Sequence, residues 1–375
     1  MSQRLKFRLF AHSWVSDWNH GNAHFLRGLA RELIRMGHEV RCYEELGSWS
    51  LTNLVKQEGD LAIEAIDEFR RTYPELDVRF YRQDETFQSF LDEELKHADI
   101  VILHEWNDPV VINAVLGRKR KEGFRALFHD THHRAYTNAG EILKFHLHLF
   151  DGVLAFGDAI RRIYRDGFGI SNVWTFHEAA DTSVFRPLPG PKTADVVWIG
   201  NWGDEERTKE LMEFLVGPAA RLSREEGRRF VVHGVRYPGN ALKLLRDAGI
   251  DYRGYLPNLS APIIYGRSRL SVHVPRRQYA NGLSGIPTIR VFESLACGAP
   301  LVCAPWNDAE NLFRPREDLV IVEDGTQMAA EIERLLQDDG ARQQIADNGI
   351  DTIRKKHTCA HRARQLVEIC QELGQ

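Results

Sequence analysis

Short apolar runs alternate with amphipathic stretches along the whole chain, a pattern of strands and helices in turn that builds parallel sheets from strand-helix-strand units. The first unit is plain. Phe7 to Ala11 reads as a buried strand and His12 to Gly21 as a polar loop. Asn22 to Met36 then carries Phe25, Leu29, Leu33 and Ile34 at helical spacing, and Gly37 stops that helix before a strand at Glu39 to Tyr43. Further strands are predicted at Asp77 to Phe80, Ile100 to Leu103, Arg125 to Phe128, Gly152 to Phe156 and Val173 to Phe176, about seven before residue 187.

Three prolines at 187, 189 and 191 then interrupt the alternation, because proline can extend neither a helix nor a central strand. A second series follows. Strands are predicted at Asp195 to Ile199, Arg229 to His233, Leu270 to Val274, Pro300 to Cys303 and Leu319 to Val322. Helices are predicted at Glu205 to Glu226, Ala241 to Ala248, Arg290 to Ala296 and Met328 to Leu336, and the tail from Ala341 to Leu373 reads as wholly helical. The expected fold class is α/β, two Rossmann-like doubly wound domains facing a cleft: residues 1–187, residues 188–350, and a C-terminal helix, 351–375, that packs back on the first domain.

Composition narrows the class. With 49 Lys plus Arg against 53 Asp plus Glu, a net charge of −4 gives no field for holding a nucleic-acid backbone. The basic run Arg118 to Lys121 is read as a solvated helix end. No apolar run approaches the roughly 18 residues of a membrane-spanning helix, and the N-terminus lacks a signal-peptide core. Five scattered cysteines, an odd number, argue against a disulfide framework, so a soluble cytoplasmic chain is expected. His357-Thr-Cys359-Ala-His361 has no matching second pair of ligands, and no metal site is expected there.

In doubly wound domains ligands sit at the carboxyl ends of strands, so the loops after strands are where chemistry is sought. After the first strand, His20, Gly21 and Asn22 precede a helix whose free N–H groups suit an anion, although the G-x-G-x-x-G spacing of dinucleotide enzymes is absent. After the fifth comes Phe128-His129-Asp130-Thr-His-His133-Arg134, where His129 or Asp130 suits a sugar hydroxyl or a proton transfer; His133 is read as solvated. His104-Glu-Trp-Asn-Asp108 is a weaker case of the same kind. The second domain opens with Gly200-Asn201-Trp-Gly203 followed by Arg207 and Lys209, a diphosphate cradle of amides and cations that Glu205 and Glu206 could instead neutralise. The richest stretch runs from His273 through Arg276, Arg277, Ser284, Gly285 and Ile286 to Arg290 and Glu293, the last two three residues apart on one helix face.

Arg290-Val-Phe-Glu293-Ser-Leu-Ala-Cys-Gly298-Ala-Pro300-Leu resembles the nucleotide-sugar signature of GT-B glycosyltransferases, and the chain resembles their CgeB-like, spore-maturation-protein branch over both halves. His177-Glu-Ala-Ala-Asp181 to Pro187 is similar to the family's interdomain segment, and Gly200 to Lys209 to its phosphate-binding turn. The resemblance implies a metal-independent glycosyltransferase without cofactor, hexosyltransferase-like and retaining. Its donor would be a UDP-, GDP- or dTDP-linked sugar and its acceptor is not identified. Glu293 would accept from the ribose, Arg207 and Lys209 would contact the diphosphate with Arg276 or Arg277 beside them, and His129 would face the donor sugar. One departure stands out: many retaining members carry a second glutamate eight positions before the ribose-binding one, and that position is Gly285 here. Backbone amides of Ser284, Gly285 or Ile286 are the expected substitutes. Two rivals are a nucleotide-sugar epimerase on the same fold, which would need no acceptor, and a non-catalytic binding module.

Overall fold

The computed structural model describes residues 4–203 and 206–374; Met1–Gln3, Asp204, Glu205 and Gln375 lie outside the described residues, and with them the expected neutralising role of Glu205. Two compact units are present. Unit 1 comprises residues 1–178 and 359–375, and unit 2 residues 179–358. Each break thus lies some residues away from the proline-rich stretch and from position 350. The segment after residue 178 joins unit 2, where the Ala180 amide donates to the His357 carbonyl and Pro187 packs near Gly298.

Unit 1 holds a seven-stranded sheet: β1 (Lys6–Phe10), β2 (Glu39–Glu45), β3 (Asp77–Tyr81), β4 (Ile100–His104), β5 (Arg125–Asp130), β6 (Gly152–Ala155) and β7 (Val173–Thr175). The order is β3-β2-β1-β4-β5-β6-β7, every pairing parallel. β1, β4, β5 and β6 are buried nearly throughout, as strands covered on both faces by helices must be. The helix Ala23–Arg35 packs its Phe25, Leu29 and Leu33 face inward and lies against the C-terminal helix Cys359–Leu373. That last helix is pinned by Arg362 Nε donating to the His177 carbonyl and Gln365 donating to the Thr175 carbonyl.

Unit 2 holds β8 (Ala194–Ile199), β9 (Phe230–His233), β10 (Ile250–Tyr252), β11 (Ser268–His273), β12 (Leu301–Cys303) and β13 (Val320–Ile321) in the order β10-β9-β8-β11-β12-β13, again all parallel. In both sheets the chain reverses its direction of propagation beside its first strand, between β1 and β4 and between β8 and β11. Those points are where a doubly wound sheet opens a crevice.

Three predicted elements differ. The edge strand β10 was absent from the pattern, because three residues carry too little alternation to register. The helix expected from Glu205 is seen from Thr208, contains a π-helical turn at Met212–Val216, and resumes at Gly217–Glu226, where Pro218 has no N–H for a regular ladder. The tail is not one helix: Asp339–Lys356 belongs to unit 2 and Cys359–Leu373 to unit 1, with His357 and Thr358 as the connection. The His357 ring bonds to the Leu312 carbonyl.

Candidate functional site

In unit 1 the loops after β1, β4 and β5 converge at the switch point. The first is built on Glu44, a buried carboxylate that accepts from the Trp14 and Val15 amides and from the Ser13 and Ser48 hydroxyls. Asn107 ties it to the next loop by donating to the Phe10 and His104 carbonyls. At the centre is Thr131, whose hydroxyl meets Asn22 Nδ2 at 3.0 Å and His104 Nε2 at 3.0 Å, while its amide donates to Glu105 Oε1 at 2.8 Å. Glu105 is fully buried and holds Arg134 through its other oxygen, with the guanidinium lying over the Trp106 ring.

Four imidazoles line this knot. His12 and His20 have ring centres 4.0 Å apart, His12 and His104 5.7 Å, and His104 and His129 5.3 Å. Burial lowers His12 to about 4, with Arg134 contributing, and lowers His129 to about 3. His20 and His104 are pushed well below the ordinary value, first by burial and then by the neighbouring imidazoles and arginines. All four are therefore neutral at pH 7, able to exchange hydrogen bonds with hydroxyls but contributing no fixed positive charge. Nε2 of His129 is buried and bonds to no protein group.

Asp130 has a different place from the one its loop suggests. It is fully buried, accepts from the Tyr164 hydroxyl at 2.6 Å and from the His132 amide, and is bonded to Glu105. Burial, followed by the Glu105 charge, raises its carboxyl well above the usual range. A carboxylic acid locked this way shapes the loop. His133 is also buried, its ring bonded to Thr137, where solvation was expected. Gly21 and Asn22 do sit at this loop, Asn22 facing Thr131.

In unit 2 the loops after β8 and β11 meet at the corresponding switch point. Arg207 is buried, donates to the Val274 carbonyl at 3.1 Å and to the Asn201 carbonyl and side-chain oxygen at 2.6 and 2.7 Å, and lies over the Trp198 ring. Burial and the charges of Arg276 and Arg290 lower it to about 9. Among the described residues its buried Nε has no hydrogen-bond partner. His273, stacked near Trp198 and bonded to Thr288, is lowered to about 3 by burial and by Arg207 and Arg290. Arg207 is held by neutral oxygens, whereas its neighbours Arg276 and Arg290 are each paired with a carboxylate, Glu206 and Glu293; a buried guanidinium held this way is a candidate for binding an anion.

Glu293 lies on the helix Ile289–Ala296 with no exposed surface; it accepts from Asn258 at 3.2 Å, Tyr265 at 3.3 Å and Arg290. The pair with Arg290 is thus not an ordinary surface ion pair, and the carboxylate is aimed by three donors. Other residues are placed less simply. Arg276 is paired with Glu206 and Arg277 with Glu210, so both are committed to carboxylates. Glu206 neutralises Arg276 and leaves Arg207 inward, while Lys209 is exposed.

The amide of Gly200 donates to the His233 carbonyl and is not available to a phosphate; glycine is needed there because a Cβ would lie 2.6 Å from the Trp198 ring. Asn201 serves to hold Arg207. Ser284 is half-buried and Ile286 is buried. Gly285 has φ of +87°, and its amide donates to the Asn307 carbonyl at 2.8 Å, so it too is committed. The volume that a Cβ on Gly285 would need is filled by Glu310: Cγ at 2.8 Å and Oε1 at 3.0 Å.

From the sequence His12 and His273 were placed in the right loops without a role, Asn258, Tyr265 and Glu310 were missed, and His104 and Glu105 were undervalued. Position after a strand was a signal for His104, Glu105 and His273; nothing local marks Asn258, Tyr265 or Glu310. Among the described residues no group of three or more His, Cys, Asp or Glu side chains could hold a metal ion, and no helix is long and apolar enough to cross a membrane.

Two parallel-sheet α/β units of this topology constitute the GT-B glycosyltransferase fold. Residues 207–368 match a family described as Glycosyl transferase-like. Sucrose-phosphate synthase from Thermosynechococcus elongatus is similar in structure, with a TM-score of 0.66 at 12% identity over 99% of each chain. A glycosyltransferase from Rickettsia africae has a TM-score of 0.66 at 13% identity over 100% of each chain. HepE of Anabaena in complex with UDP and glucose has 0.68 at 12% identity, over 98% of this chain and 100% of that one. No curated protein sequence matches the chain.

Proposed function

We propose that the chain is a glycosyltransferase that binds a nucleoside-diphosphate sugar on unit 2 and transfers the sugar to an acceptor held by unit 1. The observation that carries the reading is Arg207, a buried guanidinium at the β8/β11 switch point with an unsatisfied Nε and two arginines nearby. A diphosphate would relieve that repulsion and accept the open N–H, and its developing charge during transfer would be stabilised by the same group. Arg290 is beside it; Lys209, exposed, would close on the anion from outside.

Glu293, aimed by Asn258, Tyr265 and Arg290, is the acceptor for the ribose hydroxyls in this reading. The family match over 207–368 and the UDP present in the Anabaena HepE structure support a nucleotide here. The nucleotide is UDP, GDP or dTDP in this reading, the donor is bound without a metal ion because arginines supply the charge, and the sugar is a hexose transferred with retention. His129, neutral and with an open Nε2, would bond a sugar hydroxyl. The enzyme is of the CgeB-like branch, working in a reducing cytoplasm where its five buried cysteines stay free.

The test is thermal stability of the purified protein with UDP, GDP, dTDP and ADP, with and without EDTA. One nucleotide should raise the midpoint by several degrees, unaffected by EDTA, and Glu293→Ala should abolish the shift. An unchanged nucleotide affinity in Glu293→Ala defeats the assignment.

A further inference from the structure

Gly285 and Glu310 form an arrangement that the reading above does not use. The loop before the helix Ile289–Ala296 and the loop after β12 are joined by the Gly285 amide donating to the Asn307 carbonyl. Asp308 shapes the second loop by accepting from the Leu312 and Phe313 amides. With the loops tied and turned by those residues, the Glu310 side chain is carried onto Gly285, half-buried, its Cγ and Oε1 in the volume that any side chain at 285 would occupy. A positive φ and the absence of a Cβ are both required for this, and glycine supplies both.

The position of this carboxylate decides its use. β12 adjoins β11, the Ala304 amide donates to the His273 carbonyl, and Thr288, three residues after Gly285, bonds the His273 ring. Glu310 therefore lies beside Gly285, on the loop that leads through Thr288, bonded to His273, into the helix that carries Arg290. A carboxylate there is repelled by a diphosphate, so its complement in the donor is the part that carries hydroxyls and no charge. We propose that Glu310 accepts hydrogen bonds from hydroxyl groups of the donor sugar and sets which sugar is bound, a carboxylate brought across from the β12 loop in place of one on residue 285. The inference rests on the donor site proposed above.

Calorimetric titration separates the two ideas, using UDP with UDP-glucose, GDP with GDP-mannose and dTDP with dTDP-glucose on the full chain. If no nucleotide binds the wild type, the donor-site reading fails and this inference falls with it. If one does, Glu310→Gln and Glu310→Ala should leave the nucleotide Kd within about twofold and raise the nucleotide-sugar Kd roughly tenfold or more, the strength of a hydrogen bond to a charged acceptor. Gly285→Ala, which pushes on the Glu310 Cγ, should show the same split. Retained nucleotide affinity reports that each variant is folded. Equal affinity for the sugar nucleotide in Glu310→Gln overturns the proposal. So does a parallel loss for nucleotide and sugar nucleotide, which would make Glu310 a support for the loop.

Discussion

The two switch points have the same topology and opposite chemistry. Between β1 and β4 stand four imidazoles, each held neutral, around a threonine and a buried Glu105–Arg134 pair. Between β8 and β11 stands Arg207 with Arg290 close by, pulled below the usual arginine value by burial and then by the neighbouring arginines. The sheet order brings the loops after neighbouring strands to one place in each unit; the residues on those loops decide whether the place suits neutral hydroxyls or an anion. The contrast is what a two-substrate transferase would need, with one region for a charged leaving group and another for an uncharged nucleophile.

The largest effect that could break this contrast is in unit 2. Glu293→Ala removes a buried acceptor from three donors, and nucleotide affinity should fall about a hundredfold or more, near 3 kcal/mol, by calorimetry. Next, Arg207→Lys should lose roughly tenfold or more, because an ammonium cannot span the Val274 carbonyl and Asn201 as the guanidinium does. If the lysine variant binds nucleotide like the wild type, the cationic site does not depend on the fork geometry.

In unit 1 the corresponding deletion should be felt in stability and not in nucleotide affinity. Glu105→Ala strands Arg134 and the Thr131 amide, a loss of about 3 kcal/mol in denaturant unfolding. Smaller still is Asp130→Asn: because burial pushes this carboxyl well above its usual range, a neutral amide should cost about 1 kcal/mol or less, whereas Asp130→Ala costs more by orphaning Tyr164.

The finest distinction is in pH. The imidazoles titrate in the unfolded chain near 6.5 but in the fold at about 4 for His12 and about 3 for His129, so the unfolded state binds more protons in between. Stability should fall as pH drops from 6.5 toward 4, and His12→Gln with His129→Gln should flatten that slope in thermal melts. Asp130 acts in the opposite sense, its contribution being present at low pH and lost as pH rises.

Much of the fold was legible because strand burial on both faces and helical spacing are local patterns. Among the described residues, twelve of the thirteen strands were placed within a residue or two, and the loops after them are where the buried polar clusters lie. The edge strand Ile250–Tyr252 and the break at His357 were not, since one is too short for a pattern and the other depends on what each half of the tail packs against.

Residue types and their order along the chain thus determined the two parallel sheets, the loops that carry chemistry and the candidates Arg207, Glu293 and His129. Tertiary structure alone decided which charges stay available. Arg276 is paired with Glu206 and Arg277 with Glu210, partners on the segment after β8 that the β8–β11 pairing brings within reach. It also gathered His12 and His20 from the loop after β1 with His104 and His129 from the ends of β4 and β5, and laid Glu310 on Gly285. The physical reason is that secondary structure follows from short-range periodicity, whereas burial, ion pairing and pKa depend on neighbours that the strand order supplies from distant parts of the chain.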